Sequence, residues 1–482
     1  MAKKKQSGKV KNLLQQVCHP DAVGIDLGAE EFYAAISPET AQAAGLDQSV
    51  KMFTTFNSGI REAIEWFAEH GVKTIAMEST GNYWCALYDQ LSEAGFEVFL
   101  VNAGHCKSLP GRKTDVCDAQ WIQQLHTAGL LKKSYIPEDD IRAIRYLMRH
   151  RDKQIKNHGS EIQHMQKALT EMNVQLHHIL SDIDGWSGQR IIEAIINGER
   201  DLGVLTDLRH PACRTARDTV IAALDGNFRP EYLFALKQSF EKSKQIKAQI
   251  AEVEAELDRL LSKFSGAATE QEELDPAQSQ TTDSSQSPKK HYQLKTSGNG
   301  KRELNISFID HARAIYRVDL STIPGVADGI IGCLLTEVGD ASAFKSFENA
   351  QHFASWLGLC PDNRITGRKV KRTKTRKVDN PLAVALRIAA QTLWRSDNAL
   401  GDYSRKMKAR LGKPEGITAT AHKLARIIYA VITTGQPYDE AAHQATNPRN
   451  LKRQIKNLEK KAAKLGLTLS PITDLEVAPN VA

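Results

Sequence analysis

The sequence predicts a mixed α/β domain, then long helices with heptad repeats, and then an all-α C-terminal domain. Residues 21–130 alternate β-rich segments with amphipathic helical segments, which is typical of one compact α/β domain. From residue 141 onward, apolar residues recur every seven positions, which indicates long packed helices. Residues 306–440 carry amphipathic helical patterns. A chain of 482 residues has room for these separate cores.

Five segments of the α/β domain are predicted strands, and they are AVGIDLG, EFYAAIS, KMFTTFN, VKTIAMES and FEVFLVNAG. Two amphipathic helical segments, IREAIEWFAEHG and YWCALYDQLSEAG, flank the fourth strand. A further helix, which carries Asp115 and Asp118, follows the fifth strand. Three consecutive strands followed by alternating helix and strand predict one compact mixed α/β domain.

Two heptad runs occupy the middle of the chain. The first begins at Ile141 and continues to Leu176, with Arg151 and His158 interrupting its seam, and the second covers residues 236–264. They predict an antiparallel hairpin of two long helices or an oligomerising coiled coil, with ordinary packing inside one domain as the alternative. The predicted divisions are a basic tail (1–20), an α/β domain (21–135), a helical coiled-coil region (136–264), a disordered linker (265–305), a C-terminal domain (306–440), and a charged helix with a tail (441–482).

Bulk composition restricts the functional class only weakly. A formal charge of +7 and a pI near 8.8 favour an anionic partner. The seven cysteines form no CxxC and no zinc-type spacing, so we expect reduced thiols. No run of about eighteen apolar residues occurs, so we expect no membrane span. These features favour a cytoplasmic protein.

Four acidic residues stand at positions where α/β domains build sites. Asp26 ends the first predicted strand, Glu78 ends the fourth, and Asp115 and Asp118 open a helix three residues apart. Carboxylates converging at one sheet edge suit Mg²⁺, and two such ions clamp the attacking and leaving oxygens of a phosphodiester. In the alternative, the helix dipole alone favours the two aspartates. The segment GIDLG also opens the phosphate loops of actin-like kinases.

The C-terminal domain contains a dense basic stretch, DNRITGRKVKRTKTRKVDN. Such density repels itself unless a polyanion neutralises it, so the stretch predicts nucleic-acid contact, with a solvated basic loop as the alternative. The candidate nucleic-acid-binding residues are Arg364, Arg368, Lys369, Lys371, Arg372 and Lys374. Upstream, Pro324 and Gly325 form a helix-hairpin-helix-like turn suited to phosphate contact, or a plain helix–helix turn.

The order of the four acids resembles the RuvC-like, ribonuclease-H-type DEDD domain. The segments AMESTGNYWCALYDQL, VFLVNAGHCKSLPGRKTDVCDAQWI and IPGVADGIIGCLLTEVGD resemble transposases of the insertion-sequence 110 family. The resemblance runs through residues 21–180 and 306–440. It implies that Asp26, Glu78, Asp115 and Asp118 bind metal, and that a guide ("bridge") RNA directs recombination between donor and target DNA.

Members of that family carry a motif like N-x-I-S-G-G-K, in which the serine attacks the DNA phosphodiester. Residues 363–369 of this sequence, NRITGRK, match the frame with Thr366 for the serine and Arg368 for the second glycine. A threonine hydroxyl presents the same nucleophilic oxygen, although its methyl group restricts χ1. The resemblance therefore implies that Thr366 is the nucleophile of an active enzyme, or that this copy is impaired.

The sequence as a whole predicts a transposase or site-specific DNA recombinase that works as a homo-oligomer, a dimer or a tetramer. A metal-dependent RuvC-like nuclease or Holliday-junction resolvase would use only the four acids. A degenerate nucleic-acid-binding remnant is a further alternative, and the four intact acids count against it. The protein sequence does not specify the target, donor or RNA sequences.

Overall fold

The computed structural model describes residues 17–78, 81–101, 115–273, 306–366, 369–372, 374–376 and 378–441, together with several positions between 455 and 468. The chain folds into two compact units, Met1–Ile136 and Pro137–Ala482. Within the described ranges, no helix combines the length and the apolar character that crossing a membrane requires.

The first unit is built on one five-stranded sheet. Its strands are β1 (Ala22–Leu27), β2 (Glu31–Ala35), β3 (Val50–Thr54), β4 (Thr74–Glu78) and β5 (Glu97–Val101). They lie in the order β3-β2-β1-β4-β5, with β1, β2 and β3 antiparallel in sequence and β4 and β5 parallel to β1. Four of the five strands lie within their predicted segments, and β3 begins one residue before its segment, so the mixed α/β fold predicted for this part of the chain is confirmed.

Helices cover both faces of the sheet. They are α1 (Pro38–Ala43), α2 (Asn57–Glu69), α3 (Trp84–Glu93) and α4 (Asp115–Thr127). Because side chains alternate along a strand, Val23 and Ile25 of β1 pack with α2 and α3 in the main core. On the opposite face, Ala76 of β4 packs against Ile122 of α4. The described part of the unit therefore has three layers, with α4 on this second face.

Gly24 of β1 allows α4 to lie directly against the strand. A Cβ atom built at Gly24 would stand 2.4 Å from the carbonyl oxygen of Ala119 and 2.2 Å from the backbone nitrogen of Gln123. Both neighbours are backbone atoms of α4, which no side-chain rotation can move away. A glycine inside a strand is a known sign of such a close backbone approach. Gly24 thus sets the distance between β1 and α4.

We predict that Gly24→Ala destabilises the first unit by about 3 kcal/mol or more, because the added methyl forces α4 away from the sheet. The measurement is the free energy of unfolding from denaturant titration. Gly159→Ala is the matched control, since its Cβ would meet no atom within 4 Å and alanine favours a helix interior. Equal stabilities for Gly24→Ala and the wild type would contradict the close packing of α4 on β1.

The C-terminal end of α4 is fixed to the residues that precede β1. The backbone N–H groups of Cys18 and His19 both donate to the carbonyl oxygen of Thr127, at 2.7 and 3.1 Å. The ring of His126 stacks on the ring of His19, with centroids 4.7 Å apart. His126 is 1% exposed, and in the described structure its Nε2 has no hydrogen-bond partner. Burial, together with the neighbouring His19, lowers the pKa of His126 to about 4.

This pKa makes the first unit sensitive to acid. The folded pKa of His126 lies below the ordinary value of 6.5, so the unfolded chain binds the proton more tightly. The contribution of neutral His126 to the free energy of unfolding is fully present above about pH 6.5. It falls as the pH drops toward 4, and the loss is about 2 to 3 kcal/mol at pH 4.5. We predict that His126→Phe removes this loss of stability, measured by denaturant unfolding at a pH above about 6.5 and at pH 4.5. His164→Gln, at an exposed histidine, is the control and should keep the wild-type pH dependence.

The second unit begins with a long helical hairpin. Helices α5 (Asp139–Glu171) and α10 (Pro230–Glu273) run antiparallel along each other. Two polar pairs interrupt the apolar seam at Arg151 and His158, the two polar positions of the first heptad run. Arg151 Nε donates to Glu254 Oε1 at 2.7 Å, and His158 Nε2 lies 3.0 Å from Ser243 Oγ. The predicted antiparallel hairpin is therefore present within one chain. Four short helices pack at its turn end, α6 (Leu176–Ile179), α7 (Trp186–Ile196), α8 (Leu202–Asp207) and α9 (Arg217–Leu224).

The described remainder of the second unit consists of helices and one β-hairpin. Its helices are α11 (Phe308–Tyr316), α12 (Asp328–Glu337), α13 (Ala350–Trp356), α14 (Pro381–Leu393), α15 (Ala399–Leu411) and α16 (Lys413–Thr434). The hairpin consists of β6 (Arg364–Thr366) and β7 (Lys369–Arg372). Ile144 of α5 and Leu257 of α10 belong to the same core as these helices. Arg145 of α5 adds hydrogen bonds to the carbonyl oxygens of Thr336 and Glu337 at the end of α12.

Candidate active site

Asp26 and Glu78 occupy neighbouring strand ends in the first unit. Strands β1 and β4 are parallel, with Ile25 of β1 in register with Met77 of β4. Asp26 and Glu78 each follow these residues by one position, so they lie side by side at the carboxyl end of the sheet. Both side chains are half-buried. Strict alternation places them on the same face as Gly24, which is the face that α4 covers.

Helix α4 begins at this same edge. Its last residue, Thr127, bonds to residues ahead of β1, and its middle crosses Gly24. The helix therefore runs antiparallel to β1, and its first turn lies toward the strand end that carries Asp26. Asp115 is the first residue of α4, and Asp118 is a half-buried residue of the first turn. The side chain of Asp115 lies outside the described residues. The backbone thus directs all four predicted acids to one edge.

The described side chains alone do not form a metal centre. Among them, no group of three or more histidine, cysteine, aspartate and glutamate residues is placed to hold an ion. The donor set at the edge nevertheless suits Mg²⁺, since it consists of carboxylates on two adjacent strand ends and one helix start. The fit of the four-acid set depends on the carboxylate of Asp115.

Thr366 lies beside the turn of the hairpin in the second unit. It is the last residue of β6 and pairs with Lys369, the first residue of β7. Ile365 pairs with Val370, and Arg364 pairs with Arg372 across a register shift. Residues 367 and 368, and the side chains of Thr366 and its strand neighbours, lie outside the described residues. Lys374 follows β7 and its side chain is exposed. The two strands therefore carry Thr366 and four of the six predicted cations, Arg364, Lys369, Lys371 and Arg372.

The base of the hairpin is fixed to the helical core. Pro361 and Thr375 form a bridge, and the backbone nitrogen of Asp362 donates to the carbonyl oxygen of Lys374 at 3.0 Å. Arg376 Nη2 donates to the carbonyl oxygen of Ser355 in α13 at 2.9 Å. These contacts hold the two ends of the hairpin together and attach its base to α13. Loops that carry functional groups are commonly supported in this way.

The predicted turn at Pro324 and Gly325 is present, directly before α12. Gly325 has φ 86°, and the N–H of Val326 donates to the carbonyl oxygen of Ile323 at 3.0 Å. The Cβ position of Gly325 lies 3.1 Å from the side chain of Leu393 in α14. Glycine is needed here for both the left-handed backbone and the close packing. Phosphate contact by this turn stays a prediction.

Sequence reasoning did not identify Gly24 as a residue of the site. Its role is to bring the helix that carries Asp115 and Asp118 within backbone distance of the strand that carries Asp26. The available signal was the isolated glycine inside the apolar segment AVGIDLG, two residues before the acid.

Two family models match the chain, one around the four predicted acids and one around the β6–β7 hairpin. The first is the DEDD transposase model named for IS110, and it matches residues 23–174. The second is described as "Transposase IS116/IS110/IS902 family" and matches residues 317–405. Together they cover about half of the chain. The chain belongs to the IS110 family of transposases. The first match includes all four predicted acids of this family member, and the second includes Thr366 and the basic hairpin.

Curated relatives of this IS110-family chain include two pilin gene-inverting proteins. The protein from Moraxella lacunata is 31% identical over 134 residues, which is 27% of this chain and 41% of the relative. The protein from Moraxella bovis is 30% identical over 129 residues, which is 26% of this chain and 39% of the relative. The matches thus span about two fifths of the length of these curated relatives.

Proposed function

We propose that this IS110-family protein is a transposase that acts as a site-specific DNA recombinase in the cytoplasm. It cuts donor and target DNA and exchanges their strands under the direction of a bridge RNA. The observation that carries the proposal is the side-by-side placement of Asp26 and Glu78 at the sheet edge where α4 begins. Membership in the family supports the choice of DNA as substrate.

In the proposed site, Asp26, Glu78, Asp115 and Asp118 would hold two Mg²⁺ ions. When bound, the ions neutralise phosphate charge and polarise the reacting oxygens. The sheet fixes Asp26 and Glu78 through the backbone hydrogen bonds of β1 and β4, and the packing of α4 on Gly24 fixes the two aspartates. Rigid backbone elements keep such groups near the geometry the reaction needs.

Thr366 supplies the attacking hydroxyl in this proposal. A bond forms between Thr366 Oγ1 and the phosphorus atom, and the bond from phosphorus to the leaving sugar oxygen breaks. The hydroxyl proton passes to water, and the leaving sugar oxygen takes the bonding electron pair and a proton from water. Attack by the free hydroxyl of the partner strand reverses the step and joins the new pair of strands. Because donor and target must both be cut, we propose a homo-oligomer with a Thr366 in each protomer.

The test is a recombination assay on two plasmids with the purified protein, the RNA that co-purifies with it, and Mg²⁺. We expect joined donor–target junctions, detected by sequencing across the new boundaries. Cleaved plasmids without junctions and without a protein–DNA adduct would instead indicate a metal-dependent nuclease or junction resolvase.

The guide is tested separately by sequencing the co-purifying RNA. We expect one discrete structured RNA encoded beside the protein's own gene. Random RNA fragments would contradict the bridge-RNA part of the proposal and leave the DNA chemistry to the plasmid assay.

A further inference from the structure

A cavity of about 370 Å³ lies against one face of α16 in the second unit. Its floor consists of residues spaced three and four apart along the helix, and the chain after Gly435 turns back over them. Gly435 makes this turn in the left-handed conformation, with φ 66°. The lining residues are Ala350, Lys423, Arg426, Ile427, Ala430, Val431, Thr434, Gln436, Pro437, Tyr438 and Asp439.

The wall of the cavity is held in place by specific contacts. The hydroxyl of Tyr438 donates to Glu440 Oε2 at 2.9 Å, and the backbone nitrogen of Ala399 donates to Glu440 Oε1 at 2.6 Å. On the helix side, the hydroxyl of Tyr429 donates to the carbonyl oxygen of Phe347 at 2.9 Å. The segment after α16 is therefore anchored to the start of α15, and the cavity is a formed feature of the fold.

Two cations stand next to each other in this cavity. Lys423 and Arg426 are three residues apart on α16, so their side chains share one face of the helix. In the described part of the chain, neither forms an ion pair with a carboxylate. Burial, and then the nearby charge of Arg426, lower the pKa of Lys423. Like charges in contact destabilise a helix, and an anion bound between them removes that repulsion.

Among the described residues that line the cavity, one is an acid, Asp439. Its side chain is exposed, and its Oδ1 accepts a hydrogen bond from the backbone nitrogen of Ala441 at 2.9 Å. That bond directs the carboxylate toward the following backbone. Asp439 therefore weakens the positive potential of the cavity without neutralising either cation.

The cation pair lies close to the base of the β6–β7 hairpin. Cys360 Sγ donates to the carbonyl oxygen of Gln351 at 3.9 Å, and Gln351 directly follows Ala350, which lines the cavity. Cys360 immediately precedes Pro361, which forms the bridge at the hairpin base. A nucleic-acid strand that follows the basic hairpin to its base would therefore come close to this cavity.

We infer that Lys423 and Arg426 form a binding site for a backbone phosphate of nucleic acid, seated in the cavity on α16 beside the hairpin. The inference rests on the proposed function, because it assigns an anchoring site to the nucleic acid on which the hairpin acts. The guanidinium fork of Arg426 suits two phosphate oxygens, and the ammonium of Lys423 adds a point charge. The apolar floor from Ile427 to Val431 lies alongside the sugar.

The test measures how the affinity for a short DNA duplex depends on salt. Each phosphate contact contributes about 0.9 to the slope of log K against log salt, so one lost contact weakens binding roughly eightfold at about 0.1 M salt. We expect Lys423→Gln and Arg426→Gln each to lower the slope by about one. Asp439→Asn should strengthen binding, because it removes the opposing charge.

Lys406→Gln is the matched control. Lys406 is an exposed cation of α15 that does not line the cavity, so its replacement removes the same charge and should leave the slope unchanged. Equal slopes for the wild type and both cavity variants would overturn the phosphate site while leaving DNA binding intact. Absence of binding by the wild-type protein would instead count against the proposed function. Adding inorganic phosphate at constant ionic strength distinguishes the sources: strong competition would show that the cavity prefers the free anion, which overturns the backbone assignment.

Discussion

Replacement of Asp26 by asparagine lowers the rate of DNA strand exchange by about a thousandfold or more. The amide keeps the size of the carboxylate and removes its charge. The proposed metal site therefore loses its charged ligand on β1, the strand that pairs with β4, which carries Glu78. Asp115→Ala should have an effect of the same size, since it removes the acid at the opening of α4. The measurement is the rate of junction formation in the two-plasmid assay. Circular dichroism verifies that each variant is folded at the protein concentration of the assay.

Asp47→Asn is the control for this result. Asp47 is an exposed acid in the same unit, distant in the chain from the strand ends, and its replacement should leave strand exchange unchanged. Calorimetric titration with Mg²⁺ gives a second readout. We expect the wild-type heat of binding to be lost in Asp26→Asn and kept in Asp47→Asn. Full activity of Asp26→Asn with wild-type metal binding would exclude Asp26 from the site.

Replacement of Thr366 by alanine abolishes strand exchange and the covalent protein–DNA adduct, because it removes the proposed attacking oxygen. Losses of about a thousandfold or more are expected when a nucleophile is deleted. Thr366→Ser keeps the hydroxyl and removes the methyl group that restricts χ1, so it should retain or raise activity. The measurement is the yield of adduct on a labelled DNA duplex after denaturing electrophoresis.

Thr433→Ala serves as the control for the hydroxyl. Thr433 lies on the exposed side of α16 and donates only to carbonyl oxygens of its own helix, so its loss should leave the adduct yield unchanged. An inactive Thr366→Ser variant that is folded and binds DNA normally would argue that the threonine is not the attacking group. Adduct formation by Thr366→Ala would argue the same.

Much of the α/β unit was predictable because its strands have strong local signals. The segments AVGIDLG and VKTIAMES are short apolar runs, and they form β1 and β4 within their predicted limits. The side-by-side placement of Asp26 and Glu78 was not predictable from the pattern alone, because β1 and β4 are separated by two other strands in the chain. Only the observed register places the two acids side by side.

The helical hairpin shows both the strength and the limit of the heptad signal. The pattern predicts two long antiparallel helices, and α5 and α10 form them. The first heptad run continues to Leu176, whereas α5 ends at Glu171. Asn173 adopts the left-handed conformation, with φ 60°, and interrupts the helix. A periodic apolar pattern does not register a single residue of this kind.

The β6–β7 hairpin was not predicted from the sequence, because most residues of its strands are basic. Only Ile365 and Val370 are apolar in its strands, and they pair with each other across the hairpin. The basic residues around them predict nucleic-acid contact but give little strand signal. The cavity on α16 was also not predictable from the sequence, because it depends on how the chain after Gly435 folds back over Lys423 and Arg426.

The most direct test of the recombinase proposal is to locate the covalent bond between protein and DNA. A duplex that traps the cleaved intermediate is incubated with the wild-type protein and Mg²⁺, digested, and analysed by peptide mass spectrometry. We predict that the nucleotide is attached to the peptide containing Thr366, through its hydroxyl oxygen. Attachment at another residue, or cleaved DNA without any protein-bound nucleotide, would contradict the assignment of Thr366 and favour a nuclease that uses the acid cluster alone.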